Sequence, residues 1–311
     1  MDDYGKNERE KLAMDLGDEE LVRYFYLDKT TSEVSAFLDS LQLELVTSQD
    51  DVPFNAQVKS YFAAHDENGD PWIVKPVLDD EEMLYHRSCL LAYLLDHATG
   101  TLAAPTTAVL IDGKKYRVTK VVKHAVQISS YNYLESPFIH SLRADLINRW
   151  IYFDEDRNPN NYLVVTNRKN EPFIAAIDYD KADMLSPEMK ITGTEKKFGW
   201  IRTEKTRFLT LLRPENFDGV CICEFEDRLK AFASVREEMF LKLALRAFAS
   251  YSADPQKTAE QVTANFVQRR KYVDTYFRKM FKTAADTKNV CNDEEYLAFG
   301  KSFLDMHNKK K

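Results

Sequence analysis

The feature that most constrains this chain is a change in the spacing of its apolar residues. From about residue 43 to 122 they come in short runs rich in β-branched and aromatic types: LELVT, QVKSYFAAH, PWIVKPV and TTAVLIDGKKYRVTKVV. Turn signals separate these runs, which is how antiparallel strands are written. Asn68-Gly69 within Asp66–Asp70 predicts one hairpin turn, and Asp112-Gly113 predicts another. Between them residues 80–97 have no breaker, carry Met83, Leu84, Leu90, Leu91, Leu94 and Leu95, and predict a helix.

From about residue 205 onward the spacing is mainly helical. RLKAFASVREEMFLKLALRAFASY is periodic throughout, and Pro255 after Ser252-Ala253-Asp254 predicts the start of the next helix. Residues 137–153 are also helical in pattern, with Phe138, Leu142, Leu146, Trp150 and Ile151 on one face. They are followed by a polar loop, Asp154–Asn161, the strand YLVV, a turn at TNRKNEP, and the strand FIAAID. A helix over 30–42 is marked by Thr30 three residues before Glu33. Residues 1–20 are polar and predict a frayed end. The expected fold is therefore α+β, with an antiparallel-sheet lobe over 1–122 and a helical lobe over 123–311.

Composition narrows the function classes. Of 311 residues 44% are apolar, enough for a large core or two moderate ones. The net charge of −7 argues against a protein that coats nucleic acid or an anionic membrane. No run approaches the roughly 20 apolar residues of a membrane span. The charged start MDDYGKNEREKLAMDLGDEE has no apolar stretch of the secretory kind. A cytoplasmic location is expected, with export as an effector left open. Cys221 and Cys223 form C-x-C with no second pair at metal spacing, so reduced, partly buried thiols are expected. The six histidines show no metal spacing, and Gln268-Arg269-Arg270-Lys271 reads as a solvated helix face.

Three segments carry chemistry. Lys75 sits in a strand among apolar neighbours, where a lysine must snorkel or meet an anion. Acids at the start of the next helix, Asp79 to Glu82, could orient it, although helix starts attract acids for their dipole alone. The loop FDEDRNPNNYLVV holds Asp156 and, five residues on, Asn161. Phosphoryl transfer needs an acid near the attacking hydroxyl and a neutral oxygen ligand for Mg²⁺. Asp178 ends an apolar strand, a poor place to pack a carboxylate and a good one to bind a cation. Asp180 would share its face if the strand continued, and is the second metal candidate.

Strand lysine, helix acid, D-R-x-x-x-N loop, strand and I-D follow the order of a kinase site. The run INRWIYFDEDRNPNNYLVV resembles the catalytic loop of HipA-like kinases and of the related phosphatidylinositol 3- and 4-kinase fold, whose D-R-x-x-x-N-x-L reads here Asp156, Arg157, Asn161, Leu163. Their metal-binding I-D reads Ile177-Asp178, and NAQVKSYFAAHDENGDPWIVKP is similar to the HipA-like opening hairpin. The resemblance covers roughly residues 45–182. It implies a bilobal protein-kinase-like fold that binds ATP and Mg²⁺ and phosphorylates a hydroxyl, a protein Ser/Thr side chain first. Lys75 would bind nucleotide phosphates with Glu82, or Glu81, as its partner. Asp156 would be the catalytic acid/base, and Asn161 and Asp178 would hold Mg²⁺. Lys120, Val121, Val122 and Lys123 would form the hinge that meets adenine. The loop near SQDDVPFNAQ lacks glycine, Asn158 stands where relatives often have His, and Tyr179 follows Asp178 where His or Gly is common. A nucleotide-binding pseudokinase scaffold is the alternative, followed by a lipid kinase or an AMP transferase on the same fold.

Overall fold

The computed structural model describes residues 6–46, 62–154, 159–187, 212, 214–217 and 219–281. Three helices lead: α1 (Lys6–Leu16), α2 (Glu19–Tyr24) and α3 (Thr31–Asp39). Then come β1 (Glu44–Leu45), β2 (Phe62–His65), β3 (Pro71–Pro76), α4 (Asp80–Ala98), β4 (Thr106–Ile111) and β5 (Lys114–Lys120). The five strands form one antiparallel sheet in the order β1-β2-β3-β5-β4. β6 (Val126–Gln127), α5 (Phe138–Tyr152), β7 (Tyr162–Thr166) and β8 (Pro172–Ala176) follow, with a second sheet ordered β6-β7-β8. α6 (Glu226–Ser234), α7 (Glu237–Phe248) and α8 (Pro255–Met280) complete the described chain. The architecture is α+β, with the larger antiparallel sheet in the N-terminal part and a helical C-terminal part. No described helix is long and apolar enough to cross a membrane.

Both hairpin turns form where the turn chemistry puts them. The Asp66 carboxylate accepts from the backbone N–H groups of Asn68 (3.0 Å) and Asp70 (2.9 Å) and from the Trp72 indole (3.1 Å). That fixes the β2–β3 register, His65 opposite Pro71. Asp112 and Gly113 both have positive φ, 50° and 74°, as the tightest hairpin turns require. The α3 start carries the full capping box, Glu33 N to Thr30 Oγ1 at 3.2 Å and Thr30 N to a Glu33 carboxylate oxygen at 2.8 Å. Asp254 caps α8 through Lys257 N at 3.1 Å.

α4 is buried on nearly every side from Met83 to Ala98, so it is the central helix. Its Arg87, 1% exposed, donates to Ala247 O (2.8 Å), Thr107 Oγ1 (2.9 Å) and Ala108 O (3.2 Å), and pairs with Asp39. One guanidinium thus ties α3, α4, β4 and the end of α7 together. The largest apolar cluster runs from Val34 to Phe281 and crosses residues 122–123 without a break. The two parts also join through backbone: Ala104 N donates to Ala176 O and Ala176 N to Leu102 O, both at 2.9 Å.

Four expectations need correction. Residues 6–16 and 19–24 are helical, not frayed. Leu16 and Phe25 are fully buried against Leu27, Leu102, Val165 and Ala175, and tertiary burial compensates for weak local propensity. The contact is close enough that a Cβ on Gly100 (φ 69°) would lie 2.6 Å from the Glu8 carbonyl oxygen. Arg269 does not face solvent. It is 1% exposed and donates to the carbonyls of Asp183 (2.7 Å) and Ser186 (2.5 Å). Burial lowers its pKa to about 10. Arg270 likewise caps the end of α6 through Phe232 O at 3.0 Å. Cys221 and Cys223, with Cα atoms 5.3 Å apart, are joined as a disulfide rather than held as thiols. The periodic stretch over 228–251 also divides, at Val235, into α6 and α7.

Candidate functional site

Lys75 and Arg117 sit directly opposite each other on β3 and β5. Opposed residues of an antiparallel pair point to one face, so two positive charges stand side by side. Their anion is Asp180. Lys75 Nζ lies 3.4 Å from its Oδ2, and Arg117 Nη1 contacts its Oδ1. The Tyr85 hydroxyl of α4 donates to the Asp180 backbone oxygen at 3.0 Å. The sheet, the central helix and the segment after β8 therefore meet at one carboxylate.

Glu82 lies near but is turned to its own helix start. It accepts from Leu78 N at 2.6 Å, donates its N–H to Asp79 at 2.8 Å, and lies 3.6 Å from His86 Nε2. Burial, then the Arg117 charge, pull the His86 pKa down to about 4, so the ring is neutral at pH 7. Glu81 is exposed. Among the described residues, the carboxylate that pairs with Lys75 is Asp180.

Asn161, 5% exposed, ends a short 3₁₀ turn before β7, and its backbone oxygen accepts from Ile177 N at 3.0 Å. That bond sets the Asn161 backbone against Ile177, the residue before Asp178. β8 ends at Ala176, and Asp178 takes a left-handed conformation, φ 57°, with its Oδ1 accepting from Asp180 N at 3.3 Å. The strand alternation that would put Asp178 and Asp180 on one face therefore does not apply. Tyr179 instead points inward to Asp96, and Asp180 goes to the two cations. Asp156 and the loop near SQDDVPFNAQ lie outside the described residues.

The donor set suits the expected ligands. Hard oxygen ligands on Asn161 and Asp178 match Mg²⁺, which takes one or two carboxylates and completes its shell with water and phosphate. Lys75 and Arg117 are cations facing the same space, as polyphosphate requires. Among the described residues no three His, Cys, Asp or Glu side chains cluster as a protein-only metal site.

The expected hinge is partly committed within the protein. Val121 N donates to Pro71 O at 2.9 Å, and the Tyr24 hydroxyl donates to Val121 O. Lys120, 2% exposed, sends its ammonium to Asp70 (2.7 Å), Tyr26 Oη (3.0 Å) and Tyr24 O (3.2 Å), over the rings of both tyrosines. Burial lowers its pKa, with Asp70 opposing the shift. The side chain of Lys123 is partly exposed and bonded to Asp70 at 2.6 Å.

Beneath the site lies a buried polar network. Asp96, wholly buried, accepts from Tyr152 (2.6 Å), Asn148 (2.8 Å) and Tyr179. Arg149, also wholly buried, donates to Asp154 at 2.5 Å and to Asp145 at 3.2 Å, and Tyr162 donates to Asp145 at 2.5 Å. Burial, then the Asp145 charge, raise the Asp96 pKa to about 6. A cavity of about 580 Å³ opens between α1, α5, α6 and the β7–β8 hairpin, lined in part by Leu12, Thr101, Phe138 and Asn148. It borders the buried network at Asp145, Asn148 and Tyr162, and Lys75, Glu82, Asn161 and Asp178 are not in its lining.

Sequence reasoning missed Arg117, the partnership of Asp180, and this network. The alternation K-Y-R-V-T-K puts Arg117 opposite in face to Tyr116, but only the β3–β5 register puts it beside Lys75. No protein-family profile and no curated protein matches the chain. Solved structures similar to it include the proinflammatory kinase CtkA of Helicobacter pylori, 11% identical, covering 74% of this chain and 94% of that one, TM-score 0.41. The pseudokinase domain of BIR2 is 11% identical over 90% and 94% of the two chains, TM-score 0.29. The kinase domain of maize SIRK1 bound to AMP-PNP is 10% identical over 85% and 95%, TM-score 0.25. At such scores these likenesses stand beside the chain's own geometry and do not carry it.

Proposed function

We propose that this chain is an ATP- and Mg²⁺-dependent kinase of the HipA-like kind, with an N-lobe over 1–122, a C-lobe over 123–311, and a protein Ser/Thr hydroxyl as acceptor. The observation that carries the reading is the convergence of three distant segments. Lys75 meets Asp180 at 3.4 Å, and Asn161 O meets Ile177 N at 3.0 Å, beside Asp178. These contacts support the reading, because phosphoryl transfer calls for a strand cation, a neutral oxygen ligand and a carboxylate close together.

Bound Mg·ATP would supply the transferable phosphoryl group and the cation that neutralises its developing charge. Lys75 would bind phosphate oxygens, and Asn161 and Asp178 would hold the metal. Asp156 would take the proton of the acceptor hydroxyl. With Val121 N given to Pro71, the backbone of Val122 and Lys123 is the part of the hinge left to meet adenine.

A second reading, a nucleotide-binding pseudokinase, draws on the position of Glu82. It caps its own helix while Asp180 takes Lys75. Incubation with Mg²⁺ and γ-labelled ATP, read by label transfer and intact mass beside Asp178→Ala, separates the two. Phosphate gained by wild type and not by the variant supports the kinase. Mg²⁺-dependent ATP binding without transfer to the chain or to added protein acceptors supports the pseudokinase. An adduct of AMP mass points to nucleotidyl transfer. Near-normal activity of a folded Asp178→Ala overturns the metal assignment.

A further inference from the structure

We infer that Arg117 and Lys75 together form a two-cation clamp for the phosphate oxygens of the nucleotide, filled by the Asp180 carboxylate until the nucleotide arrives. This rests on the kinase reading above, and it assigns Arg117 a role that neither the motif nor the resemblance supplies.

The argument starts from the sheet. Like charges directly opposite on an antiparallel pair repel, yet β3 and β5 place Lys75 opposite Arg117. Such a pair is tolerable when an anion lies between the two heads. Asp180 is that anion, and it divides its oxygens, Oδ2 to Lys75 and Oδ1 to Arg117. A carboxylate held by two cations through separate oxygens presents the charge and shape of two oxygens of one phosphate, the ligand for which arginine's planar fork is suited.

Exposure supports exchange. The three side chains are 19%, 22% and 28% exposed for Lys75, Arg117 and Asp180, unlike the wholly buried Arg149. They are desolvated enough for the contact to count and open enough for the anion to be replaced. His86 nearby stays uncharged and adds no further positive charge beside Lys75 and Arg117. Asp180 is also two residues beyond Asp178, in a segment turned by left-handed backbone rather than fixed in a strand. Release from the clamp leaves it beside the carboxylate expected to hold metal.

The test is calorimetric binding of adenosine, AMP, ADP and ATP in EDTA, with thermal melts to confirm folding. Arg117→Met should weaken ADP and ATP by about 10- to 100-fold, the range for losing a charge-assisted pair of hydrogen bonds, and leave adenosine within about twofold. Arg117→Lys should recover part of that loss. Asp180→Asn should tighten metal-free ATP about fivefold or more by removing the competing anion. Equal loss for adenosine and ATP in Arg117→Met, or no loss for either, overturns the clamp while leaving the kinase reading intact. If wild type binds no adenine nucleotide, with or without Mg²⁺, the kinase reading fails and the clamp fails with it. Should Arg117→Met not fold, Asp180→Asn decides alone: unchanged or weaker metal-free ATP binding overturns the proposal.

Discussion

Two clusters of charge lie close together in this molecule and are built differently. Around Lys75, Arg117 and Asp180 the side chains are about a fifth to a quarter exposed, and one carboxylate serves two cations. Around Arg149, Asp145 and Asp154 the side chains are 0–9% exposed, and one cation serves two carboxylates. Tyr162 supports Asp145, while three side-chain donors converge on Asp96 close by. A buried network cannot change partners without leaving a buried charge bare, so it holds the fold. A half-open triad can exchange one anion for another at modest cost, so it can serve a ligand.

Arg149→Ala should separate the two clusters most sharply. It strands Asp145 and Asp154 in the interior and should cost about 3–5 kcal/mol of stability, measured by urea unfolding. A loss below about 1 kcal/mol would mean that the network is no more structural than a surface pair.

The next effect in size is a pH dependence. The Asp96 pKa is raised to about 6 in the fold from an ordinary 3.8, so between those values the folded state holds a proton that the unfolded chain has released. Asp96 therefore adds stability as pH falls through 6, and that gain is complete below about 3.8. From pH 7.5 to 5 the wild type should gain about 1–2 kcal/mol relative to Asp96→Asn. Equal pH slopes for the two would show that Asp96 titrates normally.

The smallest stability effect belongs to the open triad. Lys75→Ala should change unfolding stability by no more than about 1 kcal/mol while weakening ATP binding strongly. A large destabilisation would place Lys75 with the buried charges and remove the contrast.

Local structure was legible wherever neighbouring residues decide it. Asp66 closes its own turn, Asp112-Gly113 supplies two positive φ values, and Thr30 with Glu33 caps a helix within four residues. The helical start was not legible, because Leu12 and Leu16 mark too narrow a stripe to predict α1 without the cluster that covers it. Arg269 reads as a surface charge because the carbonyls that bury it belong to residues 183 and 186. The buried network escaped notice for the same reason: Asp96 and Tyr179 are 83 positions apart.

The sequence by itself determined the change from strands to helices, the two hairpin turns, the helix caps, and the order lysine, asparagine, aspartate along the chain. These depend on backbone preferences and periodicity over a few residues. Only the tertiary structure decided which charges meet. The β3–β5 register set Arg117 against Lys75, and the end of β8 at Ala176 sent Tyr179 inward and Asp180 to the sheet. An ion pair has no periodicity of its own, so its partners emerge only when packing has brought distant segments within a few ångströms of each other.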